Sequence, residues 1–178
     1  MNPHLFRISS FQHKFQVNVW AGMIDEYLIG PHILPHRINA HQFLQFLNNN
    51  LFDLLQDVPL NLRYDSWLQL DGCPAHSARI VRNWLNQHYP EKWIGRWGPV
   101  EWPARFPDLT PLDFYLWGRV KNEVYSTPIE SREHLFQQIN TAFDRLKLNR
   151  EEIRKATRSV TTRCRKCIEA RGGHFEIS

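Results

Sequence analysis

No unbroken apolar run in this 178-residue chain approaches the roughly 18 residues that a membrane-spanning helix needs, which excludes a helical membrane protein. The first residues, MNPHLFRISS, lack the basic-then-apolar pattern of a secretory signal. Cysteine is scarce. There are three in all, and an odd number without a signal argues for reduced thiols rather than a disulfide framework. A soluble, intracellular protein is expected. Internal repeats, low-complexity tracts and linker-like stretches are also missing, so residues 1–178 read as a single domain.

What is present suits that reading. Apolar residues make up 42% and charged residues 22%, with seven Trp and eleven Phe. A chain of this length buries roughly 70% of the surface its unfolded form exposes, so a core forms without staples. The net charge of +4 and pI near 9.1 are compatible with a polyanionic partner without establishing one.

Apolar runs over residues 17–24 and 27–34 flank Asp25-Glu26, which predicts a hairpin with a two-residue turn. Pro31 favours an edge or a bulge in its second strand. Asn39 with Gln42 makes a capping pair, and Phe43, Leu44, Leu47, Leu51, Leu54 and Leu55 continue at helical spacing. Residues 66–70 read as a short strand. A helix follows from Ser77 to about Tyr89-Pro90, where proline ends it. The proline-rich stretch 93–111 reads as turns after one short strand at Trp93-Ile94. Thr110 and Pro111 open another helix as cap and first residue. Two more follow, one after Ser131 and one from about Arg150 to Arg171, capped by Asn149 and stopped by Gly172-Gly173. The order predicts an α/β fold, a mixed sheet covered by helices.

Two carboxylates stand out. Asp71 ends a strand in "LQLDGCPAH", and Asp113 falls in the first turn of a later helix. Acids from two such elements can converge, and oxygen ligands suit hard divalent cations that clamp the attacking and leaving oxygens of a phosphodiester. Each also has a structural reading. Asp-Gly after a strand is a common turn, and an acid in a first helical turn is stabilised by the helix dipole. His76, just before a helix, reads equally as a cap or surface residue.

The segments "DGCPAH" and "WIGRWGPVEWPARFPDLTPLDFYLWGRVKNEVY", with "VNVWAG", "YLIGP" and the terminal "GGHF", resemble the transposases of mariner-like elements. The resemblance covers essentially the whole chain. It implies a DDE/DDD-type, ribonuclease-H-like catalytic domain: a mixed sheet flanked by helices, the core and its helices over 1–127, and extra C-terminal helices over 128–178. It implies Asp71 as the second metal-binding acid and Asp113, the last acid of the P-D-L-x-P-x-D pattern, as the third. Mg2+ or Mn2+ would be the cofactor, transposon-end DNA and a second copy of the chain the partners, and the nucleus the location, with no membrane and no small-molecule cofactor. The family's first catalytic aspartate and its helix-turn-helix region match nothing here, because both lie upstream of the segment matching Asn2-Pro3-His4. The hairpin then corresponds to the second and third strands, and the fold is expected to lack the first. Asp25, at the hairpin tip, is a poor substitute for the missing acid. Cys73, Trp97 and Phe106 stand where the family has alanine, glycine and serine. The resemblance therefore implies an ancestral metal-dependent DNA cleavage and strand-transfer activity, weak or lost in this chain. The rival expectations are a nonenzymatic nucleic-acid-binding or protein-interaction module and an unstable remnant.

The last helix is strongly basic. On a helical wheel Arg154, Arg158 and Arg165 share a stripe that could follow a phosphate backbone or simply face water. Ile153, Val160, Cys164 and Cys167 lie on another arc, so Cys164 and Cys167 read as buried core thiols rather than metal ligands. Arg96 and Arg105, interleaved with Trp93, Trp97 and Trp102, suit phosphate contact and base stacking, although packing of a long loop explains the tryptophans too. Together with His76 and the three stripe arginines, they are the candidate nucleic-acid contacts.

Overall fold

The computed structural model describes residues 15–101 and 107–171. Strands β1 (Asn18–Ile24) and β2 (Tyr27–Leu34) form the expected hairpin. They pair antiparallel from Ile24↔Tyr27 to Asn18↔Leu34. Asp25 turns the corner at φ 47°, in the left-handed region that aspartate tolerates. The register slips between Trp20 and Gly22, opposite Gly30-Pro31. This is the bulge that a proline without an N–H requires.

Both faces of the hairpin are covered, which is why its strands read as near-continuous apolar runs. Trp20, Ile24, Tyr27 and Ile29 pack into one apolar cluster with Phe43, Phe46, Leu47, Val81 and Trp93. Val19, Ala21, Met23 and Leu28 face the other way, into a second cluster with Leu116, Val120, Phe143 and Ile153. The alternation along β1 is the strand period of two at work.

On the first side lies helix α1 (Ala40–Asn49), closed by the predicted capping box: Gln42 N donates to Asn39 Oδ1 at 3.0 Å and Asn39 N to Gln42 Oε1 at 3.1 Å. The helix does not run on to Leu55 as its apolar spacing suggests. It breaks at Asn50 and resumes as the single turn α2 (Leu51–Leu54). Three consecutive asparagines, poor helix formers, sit at the break, and Asn48 Oδ1 accepts from Trp84 Nε1 at 2.7 Å on the neighbouring helix. A short helix α3 (Leu60–Asp65), not evident from the sequence, precedes β3 (Leu68–Gln69). Helix α4 (Arg79–His88) follows, and its C-cap, Tyr89, stands just before Pro90.

Strands β3, β4 (Trp93–Gly95) and β5 (Val100–Glu101) form a parallel sheet in the order β3-β4-β5. Among the described residues it shares no hydrogen-bonded pairing with the hairpin, so β1 and β3 each present a free edge. β5 falls in the stretch expected to be turns, because its two residues are too few to carry a periodicity. Trp93, 2% exposed, fills the centre, with its Nε1 donating to Asn86 Oδ1 at 2.9 Å.

A 3-10 turn (Pro107–Leu109) and a wide π-helical turn (Leu112–Leu116) lead into α5 (Trp117–Val124). Thr110 caps through its backbone rather than its side chain: its carbonyl accepts from Asp113 N at 2.9 Å and from Phe114 N at 3.1 Å. Its hydroxyl accepts from Gln69 Nε2 at 3.2 Å, which ties the turn to β3. Helix α6 (Arg132–Lys147) begins at Ser131, whose hydroxyl accepts from His134 N at 3.0 Å. Helix α7 (Arg150–Glu169) begins at Asn149, which makes no side-chain cap bond, contrary to expectation. The backbone of Asn149 already serves that end, its carbonyl accepting from Glu152 N and Ile153 N at 3.0 and 3.2 Å. Among the described residues no helix is long and apolar enough to cross a membrane.

A methyl group on Gly98 would meet the Trp93 ring at 2.9 Å. Trp93 is packed on all sides and cannot retreat, so Gly98→Ala is expected to cost about 1–3 kcal/mol of overpacking, read as a lowered denaturation midpoint at unchanged m-value.

Candidate metal centre

β3 ends at the carboxyl edge of the parallel sheet, where open α/β sheets place their ligands. The Leu70 N–H still donates to Ile94 O at 2.8 Å, and the next residue, Asp71, is free of the ladder. Its Oδ1 accepts from Cys73 N at 3.0 Å, the aspartate-turn bond expected of Asp-Gly. The same oxygen lies 2.6 Å from His76 Nδ1. That contact holds the Asp71 carboxyl below the usual carboxylate range, against the opposing pull of partial burial, so the ring nitrogen is the donor. The carboxylate remains 63% exposed and the imidazole 17%. His76 is fixed from the side by Phe43, ring centroids 4.1 Å apart.

Asp113 arrives from the far side of the hairpin, at the start of the π-helical turn. Both carboxylates line one cavity of about 300 Å3, walled by β1 from Val19 to Ile24, by Leu68 and Gln69 of β3, and by Trp117. Burial and then the charge of Asp71 push the Asp113 carboxyl up, partly offset by Lys121. The two acids therefore do converge, as their spacing in the sequence allowed.

The other candidates divide. Arg96 follows β4 at the same sheet edge as Asp71, two residues past the Gln69↔Ile94 pair, with its guanidinium 5.4 Å from the Trp97 ring. Trp97 is 57% exposed and sits at φ 67°, a conformation that favours the glycine the mariner pattern has there. Arg105, Trp102 and Phe106 lie outside the described residues, as does His174.

The α7 stripe is already paired. Arg154 bridges Glu26, Asp25 (3.7 Å) and Glu151 (3.2 Å), Arg158 reaches Asp25 at 3.5 Å, and Arg150 reaches Glu26 at 3.3 Å. Thr157 Oγ1 donates to Asp25 O at 2.8 Å. Asp25 is thus an anchor for α7, not a third acid of the cavity. Arg163, one of the basic residues of this helix outside the stripe, lies 3.7 Å over the Phe114 ring and donates to Asp108 O at 3.1 Å, which holds the segment leading to Asp113. Only Arg165 of the predicted stripe is exposed with no partner recorded. Cys164 and Cys167 are half-buried rather than core. The inner face of α7 is carried by Ile153 and Ala156, and the last turns run past the core. Burial still pushes the Cys164 thiol up, helped by Cys167.

This arrangement has close structural counterparts. The catalytic domain of Mos1 transposase, solved with raltegravir and Mn, superposes with a TM-score of 0.71 at 21% identity over 90% of this chain and 83% of that one. The chain has the fold of the mariner transposase catalytic domain. The Mos1 mariner paired-end complex with Mn gives 0.73 at 22% identity, and the paired-end complex with Mg gives 0.69 at 24%. The chain covers 92% and 85% of its own length in these matches but 47% and 42% of theirs, so it spans less than half of those transposase chains. No protein-family model matches the sequence, and no curated protein matches it. The mariner fold bears out the ribonuclease-H-like α/β expectation.

The sequence reading missed Cys73. Its ligand atom, with those of Asp71 and His76, forms a group mutually within 4.8 Å. The signal was the D-x-C-x-x-H spacing itself.

A raised carboxyl destabilises the fold wherever it is ionised, and that penalty disappears as pH falls through its folded value. Asp113→Asn should therefore raise the melting temperature at pH 7 by about 1 °C. The gain should vanish below about pH 3, where both states are protonated, as scanning calorimetry in metal-free buffer would show.

Proposed function

We propose that the chain is a transposase-derived domain of the DDE type, whose ancestral reaction is divalent-metal-dependent cleavage and strand transfer of DNA. The observation that carries this reading is the convergence of Asp71 and Asp113 on one cavity of a mariner catalytic fold. The donor set fits Mg2+ or Mn2+: two carboxylates on one cavity, with Asp71 raising the cost of ionising Asp113, a cost that a cation between them would relieve. Held by Asp71 and Asp113, such an ion would supply Lewis-acid activation of the phosphodiester and of an attacking water.

The chain's own residues supply the rest. Asp71 is kept ionised by His76, so it is ready to ligate at neutral pH. Lys121 lines the neighbouring cavity, beside Asp71 and His76, and tempers the charge of Asp113. Arg96 and Trp97, at the same sheet edge, offer a phosphate contact and an exposed ring on which a base can stack. Among the described residues only these two acids enter the cavity. Two carboxylates compensate one divalent ion and not two, so autonomous cleavage is expected to be slow.

Supercoiled plasmid incubated with the full chain and Mn2+ should be nicked slowly, and Asp71→Asn and Asp113→Asn should each reduce the rate at least about 100-fold. The same variants should lose the Mn2+-induced rise in melting temperature that the unaltered chain shows. DNA retention without nicking or metal-induced stabilisation would favour the noncatalytic binding module instead. Arg96→Ala should weaken DNA binding and lower the slope of log affinity against log salt by about one.

A further inference from the structure

The turn after β3 carries donors that a magnesium site does not need. Asp71, Cys73 and His76 lie within six residues and present a carboxylate oxygen, a thiol sulfur and an imidazole nitrogen, all within 4.8 Å of one another. It is the one such group among the described residues. Asp113 lines the adjoining cavity beside Asp71 and His76.

We propose that Asp71, Cys73 and His76 form a binding site for a borderline-soft divalent ion, zinc, with its fourth position open to water or Asp113. Four-coordinate zinc with bonds of about 2.0–2.3 Å sets its ligand atoms roughly 3.3–3.8 Å apart. The three donors, mutually within 4.8 Å, lie near that spacing. The backbone already holds the donors on one side of a tight turn: His76 N donates to Cys73 O at 2.9 Å and Cys73 N to Asp71 Oδ1 at 3.0 Å. Cys73 and His76 are thus three apart, a spacing that recurs in zinc-binding turns.

The Asp71 Oδ1 to His76 Nδ1 contact of 2.6 Å is shorter than that spacing and would open to admit the metal. One proton now sits between those atoms. Were zinc held there, that proton would pass to Nε2 or to solvent, and the Cys73 thiol proton to solvent. The ring is kept in position by Phe43, while the exposed face of Asp71 leaves an entry path. Cys73 Sγ also packs partly against the apolar cluster, which gives the thiolate a dry flank. A thiolate selects zinc over magnesium or calcium, and the Irving–Williams order places zinc above manganese for such a donor set. Cys164 and Cys167, by contrast, have no third ligand grouped with them among the described residues.

This inference rests on the turn geometry and not on DNA cleavage. The full-length chain would be titrated with Zn2+ against a chromophoric chelator, and with Co2+ as a spectroscopic probe. One zinc per chain is expected, with a cobalt–thiolate charge-transfer band. Cys73→Ala, which installs the residue usual in the mariner pattern, should weaken zinc at least about 100-fold and abolish the band. It should leave Mn2+ binding and the melting temperature of the metal-free protein within the range of a surface substitution. The double variant Cys164→Ala, Cys167→Ala should behave as the unaltered chain. Zinc affinity unchanged in Cys73→Ala, or a band that disappears with Cys164 and Cys167 instead, would overturn the proposal. Should Cys73→Ala fail to fold, Cys73→Ser replaces it with the same required outcomes. Absence of plasmid nicking bears only on the transposase reading, because zinc binding is measured without DNA.

Discussion

The burial of both faces of the β1–β2 hairpin is the constraint on which the remaining structure depends. One face packs with α1, β3, α4 and β4, the elements that carry Asp71 and His76. The other packs with α5, α6 and α7, the elements that follow Asp113. The hairpin is therefore a shared wall, and the two carboxylates meet at its edge because each half is pressed against it. At about 25 cal/mol per Å2 of apolar surface, such two-sided burial outweighs any surface ion pair in the molecule.

The ion pairs at the hairpin tip fix the angle at which that wall is held. Asp25 and Glu26 receive Arg150, Arg154 and Arg158 of α7, and Arg163 reaches from the same helix to Asp108 and Phe114. Individually, half-exposed pairs are worth little. As a network along one helix they orient it, and through Arg163 they set the segment that leads to Asp113. A helix that looks from its composition like a nucleic-acid contact is thereby engaged in holding the site together. Arg165, farther along, is the stripe arginine left outside these ion pairs.

Charge in the cavity is unevenly distributed. Asp71 has a donor bonded to each side of one oxygen and stays ionised, whereas Asp113 has none and bears the cost of a charged neighbour. Environments that push two acids apart in this way are a common mark of functional sites. A cation between them would remove that cost for Asp113, and the thiol and imidazole beside Asp71 widen the range of cations that could do so.

Much of this was legible in the chain. The hairpin turn at Asp25-Glu26, the Asn39–Gln42 capping box, the Ser131 cap and the strand into Asp71 follow from short-range patterns, because they are made by neighbouring residues. So were the two acids, and the mariner-like spacing around them. What the sequence could not settle depends on contacts between distant segments. Asn50 breaks α1 where Asn48 is engaged by Trp84; β5 exists only because β4 offers it an edge; Thr110 leaves its cap to bond Gln69. The α7 arginines and the acids at the hairpin tip are more than 120 residues apart, as Arg150 and Glu26 show at 124 positions, so no local pattern announces their pairing. Sequence alone determined which side chains could bind a metal. Tertiary packing across the hairpin decided which of them share a cavity, because only burial on both of its faces brings Asp113 to the strand end that carries Asp71.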